Sequence, residues 1–225
     1  MAAPWASQLL VTARTGGSVG ERSGVSLFLF DRATRGVTLA DYPTIDGRRA
    51  SDLTFDGLHL PADALIGEEG RAMDFLDEAG DQAIAAICAE ALGVLGVLQH
   101  DTVEYTKQRR QFGQAIANFQ VLQHRLVDMY MEAQMAQSAT YLVTFKLAGT
   151  ALERALAASA AKVTVNKACR FVGQNAIQLH GGMGMTDETA VSHYFKRATM
   201  IEAEFGSVDF HLTRHAALMR RESVQ

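Results

Sequence analysis

The stretch FQVLQHRLVDMYMEAQMA, residues 119–136, decides the fold class. Phe119, Leu122, Leu126, Met129, Ala133 and Ala136 recur at steps of three and four, the period of one face of an α-helix. The same period runs through Leu152, Leu156, Ala160 and Val163, then shifts face once to Val165, Cys169, Val172, Ala176 and Leu179. Stripes of this length belong to long helices packed on one another. From about Ala72 onward, helices are expected near 71–110, 118–147, 151–179, 187–198 and 207–221. QFGQAIANF breaks the first from the second, and HGGMGMTDE ends the third, with Gly181 as its C-cap. The prolines agree: they stand at 4, 43 and 61, and none follows. A proline inside a helix costs ~3 kcal/mol, so a long proline-free tract is what a helical region permits.

Toward the N-terminus the period changes. QLLVTAR (8–14), GVSLFLF (24–30), VTLADYPTI (37–45) and SDLTFDGLHL (51–60) are β-rich runs separated by TGGSVG, DRATRG and DGRR, which have turn compositions. The fold class is therefore α+β, mostly α. A partial β-domain over residues 1–68 precedes an antiparallel four-helix bundle over 69–225.

Composition narrows the classes of function. Apolar residues make up 48% and charged residues 20%, as in a soluble globular protein. A net charge of −4 without a long Lys/Arg run argues against a nucleic-acid partner. The apolar runs are broken by Gln, Asp or Lys before the ~18 residues of a membrane span, so no membrane partner is expected. The N-terminus lacks a basic segment before an apolar one, which leaves a cytoplasmic protein as the expectation. Cys88 and Cys169 fall in apolar helical pattern, as buried thiols rather than a disulfide or metal pair. No His/Cys/Asp/Glu cluster has metal-ligand spacing, so no metal is expected.

Two stretches admit two readings each. TKQRRQFGQAIANFQVLQHRLVDM (106–129) sets two arginines at a helix end, then an aromatic residue and a glycine, then another helix. The arginines either complement the helix dipole in solvent or form an anion site, since a guanidinium held by a rigid turn can fork onto a phosphate. QNAIQLHGGMGMTDE (174–188) either simply ends a helix or offers backbone, at Gly181, Gly182 and Gly184, for close approach by something flat or charged. His180 is given no catalytic role.

In order, YTKQRRQFGQAI, FQVLQHRLVDM, QNAIQLHGGMGMTDE and FKRATMIEAEFGS resemble the C-terminal domain of the acyl-CoA dehydrogenase family. ARTGG, GVSLFLF, YPTIDGRRASDLTFDGLHLP and LIGEEG resemble the second part of that family's β-domain. Within the family the chain is most similar to the small subunit of the pimeloyl-CoA dehydrogenase type, whose final motif also reads Phe-Gly. The resemblance implies flavin adenine dinucleotide (FAD), an acyl-CoA thioester as substrate, and an electron-transfer flavoprotein or similar acceptor. It also implies assembly as a homo-oligomer or with a related partner subunit. By motif, Arg109 would meet the pyrophosphate and Phe112 would pack on the cofactor. Gln178, Gly181 and Gly182 would meet its adenine side across a dimer, and Ser207 would be the cofactor-contacting hydroxyl.

The implied chemistry is α,β-dehydrogenation, in which a carboxylate takes the α-proton while the β-hydrogen leaves as hydride to the flavin. The family's base is the Glu of Glu-Gly-Thr/Ser, and here the motif is Phe205-Gly206-Ser207. The alternative position on the first bundle helix falls near Ala83, and the family's arginine there falls on Ile84. Glu204 and Asp81 are the carboxylates close enough to act as a displaced base. Against the family pattern the chain starts inside the β-domain. The expectation is an N-terminally truncated, partner-dependent subunit that holds FAD weakly or not at all alone. The alternatives are an active dehydrogenase with a displaced base and a non-catalytic oligomerisation module.

Overall fold

The computed structural model describes residues 2–222, with the side chains of 221 and 222 excepted. The outermost residues of the two expected domains, 1 and 223–225, lie outside the described residues. The chain divides into a unit Met1–Ala79 and a unit Gly80–Gln225.

In the first unit β1 (Gln8–Arg14), β2 (Val25–Asp31) and the short β5 (Leu65–Ile66) form an antiparallel sheet in the order β1-β2-β5. β3 (Val37–Pro43) and β4 (Arg49–Phe55) form a separate hairpin. Alternation decides what is buried: Leu9 is paired with Phe30, and both point inward. Phe30 also meets Phe55 edge-on, with ring centroids 6.0 Å apart, which ties the hairpin to the sheet. Residues 56–60 continue no strand; Asp56 and Gly57 form a bend and Pro61 opens a 3-10 turn.

The second unit is helical. α1 (Met73–Gln108) extends into it and is followed by α2 (Gln120–Lys146), α3 (Ala151–His180), α4 (Ala190–Ala203) and α5 (Val208–Glu222). Between α1 and α2 lies a two-residue hairpin, β6 (Arg110–Gln111) and β7 (Gln114–Ala115), where the sequence suggested only a break. α3 begins with a complete capping box, Thr150 and Glu153 each satisfying the other's backbone N–H.

The core is built from Ile84, Cys88, Leu95 and Leu98 of α1, Met129 and Val143 of α2, and Val165, Cys169 and Val172 of α3. Each such aliphatic side chain contributes ~1.5–3 kcal/mol by leaving water. α1 is long and apolar enough to cross a membrane by length and composition, contrary to the sequence expectation; here its apolar face is bundle core. The Leu152–Leu156–Ala160–Val163 stripe is only half-buried. The most deeply buried positions of α3 include small residues, Ala158, Ala161 and Ala168. Both cysteines are free and buried, and burial pushes each thiol up to about 12.

Candidate functional site

One groove forms where α1 and α3 end side by side. Tyr105 stacks on His180 with centroids 4.3 Å apart, and its hydroxyl donates to the His180 carbonyl at 3.3 Å. His180 Nδ1 lies 2.8 Å from the Ala176 carbonyl, so this histidine is a packed structural residue. The stack draws Arg109 beside the end of α3. A cavity of about 490 Å³ is lined there by Tyr105, Arg109, Gln178, Gly181, Gly182 and Thr186, among others.

The groove is open to a ligand. Among the described residues the Arg109 guanidinium makes no hydrogen bond or ion pair, and the Gln178 side chain makes none either. A Cβ built on Gly181 or Gly182 would meet nothing within 4 Å, so bare backbone faces outward. Gly184 differs: a Cβ there would meet the Ile177 carbonyl at 2.9 Å, so this glycine serves packing against α3 rather than ligand approach. Phe112 lies at the tip of the β6–β7 hairpin with φ +53°, followed by Gly113 at +81°. Two positive φ values in succession suit a tight two-residue hairpin, but a bulky residue there is unusual. Phe112 is nevertheless 91% exposed, and its ring meets Phe119 edge-on.

A second feature lies at the turn from α4 into α5. Phe205 has φ +57° and Gly206 has φ +111°; a Cβ on Gly206 would meet Phe210 at 2.6 Å and His211 at 2.9 Å. Phe205 is half-exposed, so the position read as the base carries an outward aromatic ring. Among the described residues the N–H groups of Phe205, Gly206 and Ser207 donate to nothing. The Ser207 hydroxyl accepts from the Phe210 N–H at 3.3 Å and so caps α5.

Both displaced-base candidates are engaged. Glu204 accepts from Arg197 at 2.7 and 3.3 Å, and Arg197 also binds Glu90 at 2.6 and 2.9 Å. Its hydrogen bonds to Glu90 hold the Arg197 guanidinium well above its ordinary value. Asp81 is 1% exposed, accepts from Arg214 at 2.7 Å and has Arg154 Nε at 3.6 Å. Each is therefore held by an arginine and is not free in solvent. Ala83 is half-buried and Ile84 is core.

The acyl-CoA dehydrogenase C-terminal domain family matches residues 81–219. The chain belongs to the acyl-CoA dehydrogenase family. It is 30% identical over 206 residues to a short-chain-specific acyl-CoA dehydrogenase of Megasphaera elsdenii, covering 90% of this chain and 53% of that one. It superposes on the butyryl-CoA dehydrogenase of Megasphaera elsdenii with a TM-score of 0.86 at 26% identity, over 97% of this chain and 57% of the other. It superposes on the FAD complex of PigA with a TM-score of 0.88 at 25% identity, over 97% and 57%. The chain thus spans about half the length of the curated relatives it matches.

Sequence reading missed Lys162, Asn166 and His211, which surround the Phe205–Gly206 turn inside the bundle. A signal was available: Lys162 and Asn166 stand four apart on the stripe that carries Val165 and Cys169, polar residues on a core face. His211 is fully buried; its Nε2 donates to the Phe205 carbonyl at 2.9 Å, and its Nδ1 has no partner among the described residues. Burial lowers its pKa from the ordinary 6.5, with Lys162 and Arg214 acting the same way and the Phe205 carbonyl and Asp81 opposing. The unfolded chain therefore binds this proton more readily, and stability contributed by neutral His211 is lost as pH falls below about 6.5. Thermal melts from pH 7.5 downward should show Tm declining below that value. His211→Gln should flatten the decline; an unchanged slope would show that other groups cause it.

Proposed function

We propose that this chain serves flavin-dependent α,β-dehydrogenation of an acyl-CoA thioester, as a subunit that lends cofactor-binding and carbonyl-polarising groups but no base of its own. The observation that carries this reading is the groove that unites Arg109 with Gln178, Gly181 and Gly182. An unpaired guanidinium, an unpaired amide side chain and bare glycine backbone fit the pyrophosphate and adenine end of FAD. Phe112 lies at the hairpin tip outside the groove lining, and its exposed ring supplies an apolar surface for the cofactor.

FAD, when bound, supplies the hydride acceptor. The Phe205 N–H can donate to the thioester carbonyl and so favour the charge that grows on its oxygen as the α-proton leaves. The proton itself finds no acceptor in the Phe205 side chain, and Glu204 and Asp81 are held by arginines. The Phe-Gly-Ser motif supports the small-subunit reading, with a partner completing the site and an electron-transfer flavoprotein or similar acceptor taking the electrons.

Distance supports an assembled site. Asn166 touches the Gly206 carbonyl, and Gly181 lies fifteen residues further along α3, about 22 Å away along the helix axis. The turn and the groove of one chain thus serve different ends of the cofactor, or different cofactors, and a second chain brings the missing end. α2 presents Val127, Tyr130, Met131, Tyr141 and Phe145 to solvent, each more than half exposed, a face suited to a symmetric contact. Light scattering at micromolar concentration should show at least a dimer, and a monomer would count decisively against this assembly.

The reading is tested by comparing FAD with FMN, which lacks the ADP end. The chain alone should bind FAD weakly, ADP should compete, and FMN should not bind measurably. Equal binding of FMN and FAD would remove the groove from the account.

A further inference from the structure

Lys162 and Asn166 lie one helical turn apart on α3, and neither has any exposed surface. The Lys162 ammonium has no carboxylate partner among the described residues. It donates instead to Asn166 Oδ1 at 2.8 Å, to the Ile201 carbonyl at 2.8 Å and to the Glu202 carbonyl at 3.5 Å. Asn166 Nδ2 donates to the Glu202 carbonyl at 3.1 Å and to the Gly206 carbonyl at 3.5 Å. From α5, His211 Nε2 reaches the Phe205 carbonyl at 2.9 Å. Three fully buried side chains from two helices thus hold four backbone carbonyls within six residues.

Burying an ammonium is costly, and burial lowers the pKa of Lys162. Its position is favoured because the last carbonyls of α4 carry the negative end of the helix dipole. The consequence for the turn follows from peptide geometry. In a trans peptide the C=O and N–H point in opposite directions. Holding the Phe205 and Gly206 carbonyls inward therefore sends the Gly206 and Ser207 N–H groups outward. The same holds fix Phe205 from its C-terminal side, in a left-handed conformation that a phenylalanine does not favour by itself.

We infer that Lys162, Asn166 and His211 are positioning residues: they clamp the Phe205–Gly206–Ser207 turn so that its unpaired N–H groups are presented as donors. The purpose of the clamp rests on the function proposed above, in which the Phe205 N–H polarises a thioester carbonyl. By holding Phe205 at positive φ from its C-terminal side, the clamp also sets the direction of that N–H. The clamp itself is a property of the ligand-free chain and is tested there.

The test uses the full chain with Lys162→Met and, separately, Asn166→Ala. Two readings are taken without ligand: the backbone carbon shifts of Phe205, which report the sign of φ, and amide exchange of Ala203 and Glu204 at the end of α4. In Lys162→Met the Phe205 shifts should move to values of a negative-φ residue, and the two amides should exchange roughly tenfold faster. Adding Phe205→Gly to Lys162→Met should restore slow exchange, because glycine adopts positive φ without the clamp. If Lys162→Met lowers Tm but leaves the Phe205 shifts and both amides unchanged, the lysine merely supports the bundle and the inference fails. Should Lys162→Met not fold, Asn166→Ala decides by the same readings, since it frees the Gly206 carbonyl while Lys162 remains. Failure of the partner-completed protein to bind an acyl thioester would count against the proposed function and leave these readings standing.

Discussion

Replacing Arg109 with alanine should weaken FAD binding by about tenfold to a hundredfold. A charge-assisted hydrogen bond to phosphate is worth about 1.5–3 kcal/mol, and each 1.4 kcal/mol is a factor of ten. The lower part of that range is expected, because Arg109 is exposed and solvent screens it. Arg109→Lys should fall between, keeping the charge but losing the planar fork. Arg110 is the control. It adjoins Arg109, but its Nη2 donates to the Gly113 carbonyl at 3.4 Å within the β6–β7 hairpin, and Gly113 is not among the groove residues. Arg110→Ala should therefore change FAD affinity little. Titration by flavin fluorescence at one fixed ionic strength separates the two. Wild-type affinity in Arg109→Ala, or a larger loss in Arg110→Ala, would sink the assignment of the groove.

Arg109 and Gly181 stand 72 residues apart, and periodicity alone could not bring them together. Local spacing made the long helices legible, because an apolar step of three or four is written into neighbouring residues. The same rule misjudged their buried faces. The Leu152–Val163 stripe is half-exposed, while Ala158 and Ala161 are buried, because helix packing accepts small side chains as well as large ones. The groove residues came from the order of motifs, and the Tyr105–His180 stack supplies the physical reason they meet. The partners of the carboxylates were not legible for a plainer reason. Asp81 finds Arg214 at a separation of 133 residues, and Glu90 finds Arg197 at 107. No reading along the chain shows which distant arginine will neutralise a given acid. Gly184 carried a true signal of close approach, but the approaching atom is the chain's own Ile177 carbonyl.

Phe205→Glu should raise dehydrogenation by at least tenfold in the assembled protein, assayed with FAD, a saturated acyl-CoA and an artificial electron acceptor. A positioned general base contributes about 10²–10⁴ in rate, and Phe205 offers no proton acceptor. The exchange is feasible because the ring is half-exposed, so a carboxylate there is not stranded in the core. It also leaves the backbone unchanged in kind, since glutamate and phenylalanine bear similar strain at φ +57°. The rival, a displaced base at Glu204, makes the opposite forecast: wild-type turnover is already present, Glu204→Gln abolishes it, and Phe205→Glu adds nothing. Geometry weighs against the rival, because Glu204 is bound by both terminal nitrogens of Arg197 and would have to leave that pair to accept a proton. Breaking such a pair strands Arg197 between one remaining acid and the bundle, so Glu204→Gln should lower Tm whatever it does to rate. Rate and Tm must therefore be measured together. Robust wild-type turnover that vanishes in Glu204→Gln, at a temperature where that variant remains folded, would overturn the assignment of Phe205 as the vacant base position.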